Sequence, residues 1–300
     1  MMRSLVVLCL TVVLVVAAGA SEKAPILVTP EWLSQHLNDP DIVVLNVSQN
    51  ARFYRQGHIP GARFLWVTSF AAPNPELSFE LVPPDQLVKL FEGLGVSNTS
   101  RIILCSVNGN VSPTARAYIT LEYLGMGDRT SILDGGYEAW KKAGNKVSTE
   151  TPSVKRSSFT PHLKKEAIVD GDYVKSHLKT RGVTILDARA PEFYNGIGGG
   201  FPRPGHVPGA VNVYFGTLFD STNKYLPLDS IRAKYAAAGI KDGDDIITYC
   251  HVGQTASSDY IGAKLLGHEV HLYDGSFEDW SGREDTPIEV PAKQDSLKKP

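Results

Sequence analysis

Short aliphatic and β-branched runs alternate with stretches of helical periodicity along most of this chain. Val43-Val44-Leu45-Asn46-Val47, Thr184-Ile185-Leu186-Asp187-Ala188 and the run from Ile246 to Tyr249 are short and nearly continuous in apolar character, as strands covered on both faces are. Between such runs lie helical stretches, among them Pro84 to Leu94 and Ala115 to Leu124. The alternation predicts an α/β fold built on mainly parallel sheets with helices on both faces. The clearest junction is Ile246-Ile247-Thr248-Tyr249-Cys250-His251-Val252-Gly253-Gln254-Thr255-Ala256, which reads as strand, tight loop and helix, the helix running on through Leu266.

The pattern occurs twice. Gly57-His58-Ile59-Pro60-Gly61-Ala62 returns as Gly205-His206-Val207-Pro208-Gly209-Ala210, and Leu133-Asp134-Gly135-Gly136-Tyr137-Glu138-Ala139-Trp140 as Tyr273-Asp274-Gly275-Ser276-Phe277-Glu278-Asp279-Trp280. Landmarks repeating in one order mark a tandem duplication. The predicted domains span residues 24–145 and 166–290. Residues 146–165, rich in Ser, Thr, Pro and Lys without apolar period, form the linker, and residues 291–300 a polar tail.

Composition narrows the function classes. The 300 residues are 42% hydrophobic and 21% charged, ordinary values for globular protein. A net charge of -2 with pI near 6.4 offers no basic field to attract nucleic acid. The first twenty residues differ: Arg3, an apolar Leu5 to Val16, then Ala18-Gly19-Ala20 before Ser21. They read as a secretory signal peptide, so the expectation is an exported protein, periplasmic or secreted, with no membrane attachment after cleavage; an uncleaved anchor is the alternative. Cleavage leaves Cys105 and Cys250 in an oxidising compartment. A disulfide between them is one reading; the other keeps Cys250 as a reactive thiol. Two cysteines without clustered histidines argue against a metal site.

Cys250 sits where a helix N-terminus opens. Orphan amides of a first helical turn and the positive end of its dipole favour an anion, which lowers a thiol pKa and makes a nucleophilic thiolate. A lone cysteine is more often a small buried hydrophobe; the loop context outweighs that here. Aligning Ile102-Ile103 with Ile246-Ile247 sets Ser106 opposite Cys250 and Cys105 opposite Tyr249. Alternate strand side chains face opposite ways, so Cys105 points away from the equivalent loop. Asn46-Val47-Ser48 stands where the second half has Asp187-Ala188-Arg189, which marks the first half as an inactive copy that packs against the second and walls its cleft.

The paired Gly-His-Ile/Val-Pro-Gly-Ala motif, the strand-end cysteine loop and the closing Tyr-Asp-Gly-Ser-Phe-x-x-Trp together resemble the rhodanese family in its two-domain form. The resemblance implies two tandem rhodanese-like domains and a sulfurtransferase without cofactor: a small anionic donor, by default thiosulfate, passes its sulfane sulfur to Cys250, and a thiophilic acceptor (cyanide, a thiol, sulfite or a protein) removes it. The backbone of His251, Val252, Gly253, Gln254 and Thr255 is the expected persulfide cradle. Arg189, His251, Gln254 and Thr255 are the expected substrate contacts. For Arg189 the alternative is a salt bridge to Glu192; for His251, expected to carry a proton or charge near neutral pH, a spectator role in solvent; for Thr255, helix capping is the plainer role. Asp187 is expected to anchor architecture, and His58 and His206 to hold turns.

The loop departs from family patterns. Many thiosulfate-using members carry Arg and often Lys after the cysteine, and mercaptopyruvate-using members Gly-Ser-Gly-Val-Thr; here it is His-Val-Gly-Gln-Thr. The missing cations imply weaker thiosulfate binding, sensitive to salt. The insertion Asn195-Gly196-Ile197-Gly198-Gly199-Gly200 either lines the cleft or is a tolerated loop. Cysteine phosphatases also place a thiolate in an anion cradle, but need Cys-x5-Arg, and position 256 is Ala. Two further readings remain: a 3-mercaptopyruvate sulfurtransferase, and an exported persulfide carrier or binding module with little turnover of its own.

Overall fold

Strands Leu27–Val28, Thr130–Leu133, Arg101–Ser106, Ile42–Ser48 and Arg63–Trp66 lie side by side in that spatial order, all parallel, in a computed structural model that describes residues 23–290. The second half repeats the arrangement with Ile168–Val169, Val270–Tyr273, Asp245–Tyr249, Val183–Asp187 and Val211–Asn212, again all parallel. A small antiparallel pair, Ala71–Ala72 with Glu80–Leu81, is added to the first half. The expected mainly parallel α/β architecture is observed twice. Residues 1–22, with the expected signal peptide and Cys9, and residues 291–300, the expected polar tail, lie outside the described residues.

The central strands are buried almost throughout because each sheet is covered on both faces. One apolar cluster includes Leu45, Leu104 and Phe91 of the first half together with Leu186, Cys250, Ala256 and Ile261 of the second, so a single core crosses the boundary between domains. Helices Ser112–Tyr123 and Ala256–Leu265, the two that follow the central strands, pack on each other there. The outer sheet faces carry separate clusters, one around Trp140 and one around Trp280.

Register fixes the equivalence of the halves. Asn46 pairs with Cys105 and Val47 with Ser106, while Asp187 pairs with Tyr249. Ser106 therefore holds the position of Cys250, and Cys105 that of Tyr249. Cys105 belongs to the outer cluster around Trp140 and Cys250 to the shared core, on opposite faces. Both thiols are free, which sets aside the disulfide reading.

The segment joining the domains is pinned against the first half. Ser148 exchanges backbone hydrogen bonds with His58, His162 and Lys164 donate to Leu124 and Tyr123 carbonyls, and Phe159 is buried in the shared core. The two motif histidines are structural: His58 Nδ1 lies 2.8 Å from the Tyr54 carbonyl and His206 Nδ1 2.8 Å from that of Tyr194. Each ring also stacks on that tyrosine with centroids 3.8 Å apart.

Candidate active site

Strand Asp245–Tyr249 delivers Cys250 to the C-terminal edge of its sheet, where parallel α/β folds bind ligands. Residues 251–255 turn the chain into helix Ala256–Leu265. A second helix start, Ser276–Gly282, holds the near side of this loop: the Phe277 amide donates to the Cys250 carbonyl at 3.0 Å and the Glu278 amide to that of His251 at 2.9 Å. The Cys250 amide donates to Ser276 Oγ at 3.1 Å, and that hydroxyl donates to the Tyr273 carbonyl at 2.9 Å. Ser276 adopts φ +52°, costly for a residue with a Cβ; its two hydrogen bonds offset the strain.

Among the described residues no acceptor takes the amides of His251, Val252, Gly253, Gln254 or Thr255, although the following Ser257 and Ser258 amides are satisfied within the turn. Five successive free donors next to a cysteine, at the positive end of a ten-residue helix, form a seat for an anion. Gly253 is required there. It adopts φ +77°, and a Cβ would come within 2.6 Å of the Asp274 carbonyl oxygen.

Arg189 is buried and committed. Its Nε lies 3.0 and 3.1 Å from the two Asp187 carboxylate oxygens, and its Nη2 2.6 Å from Asp187 Oδ2 and 2.7 Å from the Gly205 carbonyl. The guanidinium also lies 3.9 Å over the Phe277 ring, and Tyr249 donates its hydroxyl to Asp187 Oδ2 at 2.6 Å. Burial works against the charge on Arg189; the hydrogen bonds and charge of Asp187 more than restore it. The expected alternative partner, Glu192, is replaced by Asp187, because the strand end points both side chains inward. Of the three guanidinium nitrogens of Arg189, Nη1 alone makes no hydrogen bond among the described residues.

His251 corrects a second expectation. Burial first, and then the Arg189 charge, lower its pKa below the ordinary value, so the ring is neutral at neutral pH and supplies no cation. It is no solvent spectator either: the Phe193 ring meets it edge-on with centroids 4.7 Å apart, and Phe201 stacks at 5.5 Å. Thr255 does not cap the helix. Its backbone is already helical, φ -74° and ψ -30°, which turns the hydroxyl away from the amides a cap must reach. Gln254 Oε1 accepts from Gln49 Nε2 at 3.4 Å, bringing the first domain to the loop.

The first domain also enters from beneath. Arg116, on helix Ser112–Tyr123, is fully buried; its Nη2 meets Asp274 Oδ1 at 2.5 Å, and its Nη1 lies 3.3 Å from where a Gly253 Cβ would stand. Asp274 Oδ2 accepts from the Leu81 amide at 2.9 Å. Burial, reinforced by the Asp274 charge, pushes the neighbouring Glu80 carboxyl up to about 8. Between the unfolded-chain value near 4.5 and about 8 the folded protein holds a proton that the unfolded chain has released. Stability therefore falls as pH rises through that window and levels off above it. Urea unfolding from about pH 5 to about pH 9 is expected to show this decline in the wild type and a flatter profile in Glu80→Gln; parallel profiles would rule out the Glu80 contribution.

The first half lacks this equipment. Ser106 replaces Cys250, Asn46 and Ser48 replace Asp187 and Arg189, and Gly136 stands at the place of Ser276. Burial pushes the Cys105 thiol strongly up, away from thiolate chemistry. Sequence reading singled out neither Arg116, Phe193 and Phe201 nor the individual roles of Asp274 and Ser276. Only the last two stood in a quoted repeat motif, where the Gly136-to-Ser276 difference was the available signal.

The family profile of the rhodanese-like domain matches this chain twice, at residues 29–143 and 170–283. A Synechococcus elongatus protein provisionally named a thiosulfate sulfurtransferase is 32% identical over 91% of this chain and 88% of its own. A sulfur carrier protein of Thermus thermophilus, TtuD, is 30% identical over 88% and 96%, and the thiosulfate sulfurtransferase of Azotobacter vinelandii 29% over 89% and 97%. Among solved structures, the anaerobic ergothioneine biosynthesis enzyme of Chlorobium limicola superposes with TM-score 0.79 at 22% identity, covering 89% of this chain and 70% of that one, which shows a shared fold. Two matched halves, aligned over most of their length with near full-length relatives, place this chain in the rhodanese family as a tandem pair of rhodanese-like domains.

Proposed function

We propose that this protein is a sulfurtransferase that carries a sulfane sulfur on Cys250, with thiosulfate as the default donor. The observation that carries the reading is the run of five unpartnered amides from His251 to Thr255 directly after the cysteine. In the first half-reaction the Cys250 thiolate attacks the outer sulfur of thiosulfate, the sulfur–sulfur bond breaks and sulfite leaves with the electron pair. The amides then hold the negative charge of the terminal persulfide sulfur, and an acceptor (cyanide, a thiol, sulfite or a protein) removes it to regenerate the thiolate. Sulfurtransferase names among the similar proteins support this reading.

With Arg189 tied to Asp187 and His251 neutral, a small dianion meets little fixed positive charge, so thiosulfate binding is weak and declines with salt. 3-Mercaptopyruvate is the second donor to test. The carrier reading, in which Cys250 stores sulfur for a partner, is favoured by the similarity to the Thermus sulfur carrier protein. The Arg3, Leu5 to Val16 and Ala18-Gly19-Ala20 pattern supports export to the periplasm or beyond.

Purified mature protein incubated with thiosulfate, and separately with 3-mercaptopyruvate, is to be followed by intact mass. A gain of one sulfur, about 32 Da, that cyanide removes is the expected result. Repeated turnover supports the enzyme; a single loading with negligible turnover supports the carrier. A reduced Cys250 that gains nothing from either donor excludes both donors.

A further inference from the structure

A carboxylate stands against the loop that must hold an anion. Asp274 Oδ1 lies 3.3 Å, and the Asp274 carbonyl oxygen 2.6 Å, from the place a Gly253 Cβ would take. Two residues further on, Ser276 Oγ accepts from the Cys250 amide, so Asp274 adjoins the loop from both of its ends. A negative charge there opposes a Cys250 thiolate and a terminal persulfide sulfur alike. Gly253 follows Cys250 by three residues, a reach of at most about 11 Å. A unit charge about 10 Å away shifts an ionisation about tenfold at the effective dielectric of a protein interior.

The compensating charge comes from the other domain. Arg116 Nη2 meets Asp274 Oδ1 at 2.5 Å, while the buried Nε and Nη1 have no hydrogen-bond partner among the described residues, so Asp274 is what this guanidinium serves. The other charged groups around the loop are paired, bound or neutral. Asp187 is paired with Arg189, Asp279 lies 3.9 Å from Arg283 and accepts the Tyr273 hydroxyl, and Glu278 accepts the Ser78 amide and hydroxyl at 2.8 Å. Burial keeps Asp259 and Glu80 protonated and His251 uncharged at neutral pH. In the inactive half, Asp134, the counterpart of Asp274, accepts the Tyr225 amide at 3.0 Å, as Asp274 accepts that of Leu81. Arg116 and Tyr260 are each the fifth residue of their helices, so a tyrosine, bound to Glu122 at 3.1 Å, takes the place of the arginine on the second helix.

Resting on the reading of Cys250 as the sulfur carrier, we infer that Arg116 of the first domain is a positioning residue for sulfur transfer: by neutralising Asp274 across the domain boundary, it allows the loop after Cys250 to hold the negative charge of the thiolate and of the terminal persulfide sulfur. It acts through Asp274 and touches no reacting atom. The first half, which has lost its own nucleophile, thereby contributes to the charge balance of the second.

The test rests on the sign of two opposite changes. Wild type, Arg116→Met, Asp274→Asn and the double variant are alkylated with uncharged iodoacetamide from about pH 5 to about pH 10, and the modification is read by mass on the peptide carrying Cys250. The midpoint of each profile reports ionisation of the thiol independently of how easily the reagent enters. Arg116→Met, which leaves Asp274 uncompensated, is expected to move the midpoint up by about one pH unit and to slow sulfur loading from thiosulfate at neutral pH about tenfold. Asp274→Asn, which leaves the cation, is expected to move the midpoint down by a similar amount, and the double variant to return close to the wild type. A purely structural role moves both single variants in the same direction; that result, or midpoints unmoved in both, overturns the inference. Should Arg116→Met fail to fold, the downward shift in Asp274→Asn and its reversal in the double variant test the same claim, and their absence overturns it. A wild type that takes up no sulfur removes the sulfurtransferase reading, while the alkylation midpoints still decide the role of the pair.

Discussion

Cys250→Ser is expected to fold like the wild type and to transfer no sulfur, with thiocyanate formation from thiosulfate and cyanide lowered by roughly 10⁴-fold or more, as for loss of other covalent nucleophiles. The fold survives because the hydrogen bonds that secure this position are made by backbone groups: the amide to Ser276 Oγ and the carbonyl from Phe277. Oγ is close in size to Sγ, so the core around Leu186 and Ala256 stays filled. The chemistry does not survive, since a serine hydroxyl is not ionised at neutral pH and forms no persulfide. Cys105→Ser is the matched control. That thiol is buried on the opposite sheet face and held in its neutral form, so its loss leaves transfer essentially intact. Turnover retained by Cys250→Ser, or abolished by Cys105→Ser alone, would assign the nucleophile elsewhere.

Arg116→Met is expected to lower stability by about 3–5 kcal/mol, the usual consequence of leaving a buried charge without its partner. Arg116 and Asp274 come from different domains and are both out of solvent, so screening by water does not soften the loss. Met is long enough to occupy much of the vacated space, which makes the lost charge the principal change. Arg116→Met combined with Asp274→Asn removes the orphaned carboxylate and is expected to recover most of the stability. The pair also lies under Gly253, so the single variant should load sulfur more slowly than the double. Urea denaturation with a matching m-value gives the comparison. A single variant within about 1 kcal/mol of the wild type, the level of an exposed ion pair, would show that the pair carries no such burden.

Much of the architecture was legible in the residues. The two Gly-His motifs and the two aspartate-glycine turns mark a duplicated parallel α/β domain, because buried parallel strands leave near-continuous apolar runs. The one-residue difference between Ser106 and Cys105 was enough to place Cys105 and Cys250 on opposite sheet faces, since side chains alternate along a strand and the Ile-Ile pairs set the register. The cradle after Cys250 was readable for the same local reason: a strand, a glycine turn and a helix start fall within eleven consecutive residues.

The polar and aromatic surroundings of that cradle were decided by folding. Arg189 was read as a substrate cation or a partner of Glu192, yet Asp187, two residues before it, takes its charge inside a pocket completed by Tyr249 and Phe277. The charge of His251 depends on how much water Phe193, Phe201 and Arg189 leave around it, and no dipeptide pattern encodes that. Arg116 lies 134 residues or more before the loop it supports, on a helix whose own sequence looks like ordinary core.

Sequence by itself determined the two-domain frame and the strand–loop–helix junction that presents the candidate residues, because backbone propensity, strand alternation and helix-end amides act over a few neighbouring residues. Tertiary structure alone decided the charge state of those residues, their partners and what can approach them. Such properties depend on burial and on distances between atoms far apart in the chain, and these exist only once the two halves have closed on one core.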